Sequence, residues 1–583
     1  MKRKIIFIVI FVFSGLIFFQ NSRAAVNGNL GESVFFVVDQ KYDSSGRNQV
    51  QATLRKIGQR AYFYVEDNYF NSLGSVQQNN FLNAQNLLAD EFDNVIYPKL
   101  TEFYGSEWNP GIDNNSRITF LFTPMADDAG GYFRTNDEFL VSEMADSNER
   151  EMIYFNAKHA VNNRAKALVA HEFQHLINFN QKNKVLNIDD EVWLNEMRSE
   201  YAPTIVGYDD VYDGSNISYR EKHFLATPGD PLTEWKNISE DYGVANFFAQ
   251  YLADHYSGNI FSSMIKNSKI GIASVNQALV DNGFGKDFSG IFSDWTIANI
   301  FNNCLLEDGN YCYKNSNLTG IKIEPTAKYD IFNALTSISI GGKIQDWSAR
   351  WYKFSGENFS DKTLRLNFEG QNVSGDFKIP YIAETSNGET SLEYMKLTND
   401  SGMSYIKDFG DKIKNVLVIP ASHSIDAETV LASDDAKSFT LTVNVIDNSD
   451  VPQEELVENK TNFVKLDLPD GSLVRAKGDY KVYIINDKYK RHILDGKIFD
   501  FYGHLSWESI TEVDPMILAD YEESFLVRAM GDERVYEING DKTKHWLNMS
   551  AEVFSVSGRK WDAVSVINKS ERDFYIIGAN VRF

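Results

Sequence analysis

Two histidines four positions apart, with a glutamate directly after the first, stand at His171-Glu172-Phe173-Gln174-His175. On a helix that spacing turns both rings to one face, where they can hold one metal ion. Imidazole nitrogen is a good zinc ligand at about 2.0–2.1 Å. Glu172 sits beside the first ring, close enough to reach a zinc-activated water without ligating the metal. It would take the proton as general base while the metal polarises a carbonyl, which is the chemistry of peptide-bond hydrolysis. A catalytic zinc needs a third protein ligand and an open position. The next helical stretch, 191–201, offers Glu196, 21 residues past His175, room for one loop and a return helix. Glu200 lies one turn further on the same face, placed to accept a hydrogen bond from a ligand histidine and hold its ring. Glu196 is therefore read as ligand and Glu200 as the group behind it, with the reverse assignment left open. Asp189, Asp190 and Glu191 fall in the preceding acidic turn and read as a helix start.

The elements that must position these groups follow from periodicity. Residues 164–180 carry apolar positions at Ala167, Leu168, Ala170, Phe173, Leu176 and Ile177, with no Pro or Gly, and predict a helix. Residues 34–38, 61–65, 117–122 and 152–155 predict strands, and helical patterns dominate between 67 and 308. Strands first and helices later predict an α+β unit.

His171 to His175, followed by Trp193-Leu194-Asn195-Glu196 and Ser199-Glu200-Tyr201, resembles the gluzincin zinc metallopeptidases, closest to the hyicolysin-like family. The resemblance runs over about residues 33–307. It implies a thermolysin-like catalytic domain in which the first motif supplies two ligands and the base, and a Glu on the following helix supplies the third ligand. The absent third histidine removes the metzincin pattern. The Asn-Glu pair is also similar to the aminopeptidase branch, but no Gly-Ala-Met-Glu-Asn element for a free amino terminus occurs, so the resemblance implies an endopeptidase acting on proteins or peptides. Tyr242-Gly243-Val244-Ala245-Asn246 also resembles this group, which implies Tyr242 as the residue stabilising the oxyanion, with Tyr219 and His223 as rivals. Residues 151–156 resemble the edge strand on which such enzymes lay substrate backbone.

At 583 residues the chain exceeds one core. Its hydrophobic fraction of 43% marks it as globular, and its net charge of −24 excludes nucleic acid as a partner. Lys2, Arg3 and Lys4, an apolar run over 5–19, and Ser22-Arg23-Ala24 predict a signal peptide over 1–24, hence a secreted, extracellular protein with no membrane span after cleavage. Cys304 and Cys312 predict a local disulfide. The expected division is a metallopeptidase domain over 25–320, strand-rich at its start and helical in its second half, a β-sandwich over 321–448, a linker over 449–465 and two small, mostly β repeats over 466–523 and 524–583. Residues 348–354 resemble, loosely, the start of a pre-peptidase C-terminal sandwich. The repeats are legible as an offset of 53 positions: Leu473-Val474-Arg475-Ala476 recurs as Leu526-Val527-Arg528-Ala529, and Gly478-Asp479 as Gly531-Asp532. Their Tyr, Trp and Phe read first as module cores, and second as a surface for cell-envelope or glycan contact. Asp113, Asn114, Asn115, Asp127, Asp128, Asp209, Asp210 and Asp213 could serve calcium, but exposed acidic turns are the preferred reading. A different class of function, a cell-surface binding or adhesion protein working through the repeats with a vestigial or structural zinc site, would need a fourth metal ligand, and the sequence offers three.

Overall fold

The computed structural model describes residues 28–581 apart from 128, 163, 305, 307, 308, 334, 335, 371–376, 424–435, 453–463, 466, 467, 469, 514 and 520. The expected signal peptide, residues 453–463 of the expected 449–465 linker, and Asp128 lie outside them.

The chain opens with a six-stranded mixed sheet made of β1 (Ser33–Val37), β2 (Gln49–Ile57), β3 (Ala61–Glu66), β4 (Ile118–Thr123), β5 (Gly131–Phe133) and β6 (Met152–Asn156), in the order β1-β2-β3-β4-β6-β5. β3, β4 and β6 run parallel, and β5 returns antiparallel to β6 at the edge. Every residue of β3, β4 and β6 is buried, because both faces of the sheet are covered. Phe63, Phe120 and Phe155 face the helices, whereas Tyr62, Tyr64, Leu121 and Tyr154 build a second core with Phe36 and Val50.

The parallel β3–β4 pair requires a crossover, supplied by α1 (Asp67–Ser72), α2 (Ser75–Glu91) and α3 (Tyr97–Tyr104). After β6 come α4 (Ala165–Asn178), α5 (Val192–Val206), α6 (Asn216–Ala226), α7 (Ser239–Tyr256), α8 (Asn259–Lys266), α9 (Gly271–Asp281) and α10 (Phe288–Phe301). Past α10, Cys304 and Cys312 are joined by a disulfide.

From 327 onward the described chain is β-rich. A six-stranded and a four-stranded sheet share a core of Phe354, Leu364, Phe368, Val416, Phe439 and Leu441. Val464–Lys465, placed in the expected linker, form a strand that pairs with Glu389–Tyr394 at the edge of the six-stranded sheet. Two five-stranded sheets end the chain. In the first, Leu473–Ala476 pairs antiparallel with Val482–Asn486 and parallel with Thr511–Val513; in the second, Leu526–Ala529 pairs the same way with Val535–Ile538 and Ser565–Ile567. No helix among the described residues is long and apolar enough to cross a membrane.

The sheet corrects one expectation. β6 is interior, hydrogen-bonded to β4 on one side and β5 on the other, so the free edge belongs to β5. The preferred reading of the acidic turns as exposed also fails at two places: Asp113 and Asp209 are 3% and 1% exposed. Asp209 accepts from Thr204 Oγ1 and from the Asn216 and Ile217 backbone N–H groups, and so caps α6. Asp210 pairs with Lys569, and Asp127 with Lys158.

Candidate metal centre

α4 is buried over most of its length, so its polar residues at 171, 172, 174 and 175 lie inside the protein. α5 packs beside it, anchored at its start by Trp193 and Leu194, at 1% and 0% exposure. Asp190, in the acidic turn before α5, holds Arg198 at 2.7 Å, and Arg198 also donates to Asn178 at 2.8 Å. That buried link ties the start of α5 to the end of α4 and sets which face of α5 meets the histidines.

The His171 and His175 rings lie with centroids 5.0 Å apart. Glu196 Oε2 is 3.3 Å from His171 Nε2 and 3.5 Å from His175 Nε2. The ligand atoms of His171, His175 and Glu196 all lie within 4.8 Å of one another, a group that could hold a metal ion. The opposite ring nitrogens face protein: His171 Nδ1 meets Glu200 Oε1 at 3.2 Å, and His175 Nδ1 meets Asn195 Oδ1 at 3.3 Å and Ser199 Oγ at 3.2 Å. Each ring is thus oriented through Nδ1 with Nε2 turned inward. Glu196 Oε2 is buried with no well-formed hydrogen bond to satisfy it. A buried bare carboxylate oxygen facing two imidazole nitrogens is costly alone and fits a zinc ion of two-nitrogen, one-oxygen coordination.

Glu200 is 0% exposed. Arg220 donates to both its oxygens, at 2.6 and 2.8 Å, and Asn216 Nδ2 adds a bond at 2.8 Å. Burial alone would raise its carboxyl, but Arg220 and His171 outweigh burial and hold it at about 2. Burial likewise opposes charge on His171, yet Glu196 and Glu200 push the metal-free imidazole up to about 10. In Glu172 burial wins: its carboxyl is raised above the usual range against the pull of His171 and His175, which suits a group that must accept a proton. Gly131 on β5 lies against it; a Cβ there would sit 2.8 Å from the Tyr154 carbonyl and 3.1 Å from Glu172 Oε1.

Tyr242, in the first turn of α7, has its ring 6.3 Å from that of His171, under the Arg220 guanidinium at 4.5 Å and against Trp235 at 4.8 Å. Its hydroxyl donates to Asn237 at 2.8 Å. The rival rings of Tyr219 and His223 meet edge-on at 5.3 Å, with Arg164 stacked on Tyr219. Sequence reasoning missed Arg220, Asn216 and Ser199, and also Phe133, whose ring lies nearly parallel to His175 at 6.5 Å. Asn195 and Ser199, which lie in the Trp-Leu-Asn-Glu and Ser-Glu-Tyr runs, carried a local signal; Arg220, Asn216 and Phe133 carried none.

No protein-family model matches the chain. Among solved structures, the pre-peptidase C-terminal domain of collagenase from Bacillus anthracis is 10% identical and covers 21% of this chain and 98% of that one, at a TM-score of 0.15. The Yersinia pseudotuberculosis-derived mitogen is 11% identical, covering 22% of this chain and 99% of that one, also at 0.15. Likenesses this slight decide nothing about fold or function. The neutral metalloprotease ShpI of Staphylococcus hyicus is 27% identical over 258 residues, 40% of this chain, and the chain spans about half (54%) of that relative's length. The resemblance to hyicolysin-like metallopeptidases, drawn from the motifs, is therefore matched by similarity to a curated metalloprotease of that kind.

Proposed function

We propose that this chain is a secreted zinc-dependent endopeptidase with a gluzincin-like catalytic domain. The observation that carries the reading is the pair of Nε2 atoms facing one bare, buried oxygen of Glu196. His171, His175 and Glu196 would hold zinc, which when bound supplies the Lewis acidity that polarises a peptide carbonyl and acidifies water. Glu172 takes the proton from the attacking water and delivers it to the leaving nitrogen. Glu200 holds the His171 ring through Nδ1, and Asn195 and Ser199 hold that of His175. Tyr242 is the oxyanion donor nearest to hand, its hydroxyl turning from Asn237 toward the reacting carbonyl. The free edge of β5 offers backbone groups to an extended substrate beside Glu172, a mode that reads main chain and suits broad specificity. On this reading residues 25–320 form the peptidase, 321–448 an accessory sandwich, and 466–523 and 524–583 paired repeats. The test is metal content and casein digestion by the purified chain beside Glu172→Gln. One zinc per chain and digestion lost in the variant are expected. A chain without zinc, or a variant as active as wild type, would end the reading.

A further inference from the structure

The helix that carries the two histidines also carries a cation on the same face. Arg164 is the N-cap of α4 with its backbone already helical, and positions 164, 168, 171 and 175 follow one another along one side. Seven steps of about 1.5 Å set Arg164 about 10 Å from His171 along the axis. Its guanidinium lies 3.5 Å over the Tyr219 ring, and Lys222 reaches the same ring at 4.5 Å. Arg220 links Tyr219, at 5.2 Å, to Tyr242, at 4.5 Å, and the Tyr242 ring is 6.3 Å from that of His171. A row of rings and cations thus runs from the metal centre to the start of α4.

In a chain of net charge −24, the other cations nearby are paired: Lys158 with Asp127, Lys166 with Glu91 and Arg220 with Glu200. Among the described residues no carboxylate pairs with Arg164 or Lys222. Glu221, next to Lys222, is taken by the Tyr212 hydroxyl. The field here is positive: His223 is lowered first by burial and then by Lys222, Arg220 and Arg164, against Glu240, and His159 first by burial and then by Arg164 and Lys158. Stacking on Tyr219 occupies one face of the Arg164 guanidinium and fixes its plane. Its in-plane N–H edge is left over, the geometry that takes a carboxylate through two parallel bonds. We propose that Arg164, held flat on Tyr219 and backed by Lys222, selects substrates with an Asp or Glu side chain near the scissile bond. An extended chain advances about 3.3 Å per residue, so about 10 Å places that side chain within about three residues of the cut. Pairing on β5 reads main chain only, and the cation adds a choice of side chain to it. The inference rests on the peptidase reading above.

The experiment gives a proteome-derived peptide library to the zinc-loaded full chain, beside Arg164→Met and Arg164→Glu, and maps the cuts by mass spectrometry. Wild type should enrich Asp or Glu about 5–20-fold at one position within about three residues of the cut. Arg164→Met should show no such enrichment, and Arg164→Glu should favour Lys or Arg there. Each ratio is taken within one digest, so a smaller folded fraction in a variant does not alter it. Raising sodium chloride from about 0.05 to about 0.5 M should shrink the wild-type ratio. No enrichment in wild type, or the same enrichment in Arg164→Met, overturns the proposal. A binding measurement separates it from the peptidase reading: Glu172→Gln, with and without Arg164→Met, is titrated with a fluorescein-labelled hexapeptide of alternating Ala and Glu and with its Ala–Gln counterpart. Tighter binding of the Glu peptide that depends on Arg164, with no hydrolysis by wild type, would sink the peptidase reading and keep the acidic preference. Hydrolysis by wild type with equal binding of the two peptides would do the reverse.

Discussion

Glu200 acts on the candidate metal centre without facing it. It receives two bonds from Arg220 and one each from Asn216 and Asn246, and its Oε1 also lies against His171 Nδ1. A fully buried carboxylate stays ionised there because Arg220 is paired with it and His171 faces it. Glu200→Gln keeps the shape but weakens the hold on the ring, and zinc affinity should fall about 10–100-fold with the fold retained. Arg220→Met removes the partner and leaves a buried charge, which should cost about 3–5 kcal/mol of stability. Zinc competition with a chelator and denaturant unfolding check the pair; unchanged affinity in the first and unchanged stability in the second would remove both residues from the argument. The histidine pair and Glu172 were legible because one helix fixes their relation, and Glu196 because a single return helix brings it back. Arg220 was not legible: it arrives on α6 by tertiary packing, and no spacing rule links it to residue 200.

Elements set how closely these side chains approach, and two glycines mark where there is no slack. At Gly131, on the edge strand, an added methyl would press on the Tyr154 carbonyl of β6 and on Glu172. At Gly243, in α7, it would lie 2.7 Å from the Phe224 backbone nitrogen of α6, the helix that carries Arg220. Gly131→Ala should leave the fold intact and cut peptide hydrolysis by about 10- to 100-fold, since a misplacement of about 1 Å at a reacting group is enough. Gly243→Ala should instead force α6 from α7 and cost about 1–3 kcal/mol, read as a lower unfolding midpoint. Wild-type kinetics in the first variant would mean that β5 does not fix Glu172. β3 and β4 were legible as unbroken apolar runs because both sheet faces are covered. β5 was not: three residues, one of them glycine, carry no periodicity, so the sheet edge fell by default to the longer β6.

Across the whole molecule the boundaries suggested by composition are crossed by packing. The core around α4 and α10 continues into the β-rich region through Trp347, Trp351, Leu417 and Ile419. The repeats are joined to each other by the buried Arg491–Glu571 pair and a common core, and to the helical region by Lys569 on Asp210. Such contacts join residues hundreds of positions apart, beyond any local pattern. His504 lies at one of these junctions: it packs against Gly320, whose Cβ, if present, would lie 2.9 Å from the ring, and both its nitrogens are buried without partners. Burial lowers its imidazole from 6.5 to about 4. A depressed folded value means that stability is present above about 6.5 and is lost as pH falls toward 4, because the unfolded chain takes up the proton first. The full shift corresponds to about 3 kcal/mol; with the ring partly exposed, about 1–2 kcal/mol is expected. His504→Phe keeps the packing and cannot titrate. Unfolding midpoints of wild type and variant should therefore converge near neutrality and separate on acidification, with the variant the more stable; His423 and His255, buried elsewhere, titrate alike in both proteins and cancel. Parallel curves would show that acid acts on this chain through groups other than the one seated between the first repeat and Gly320.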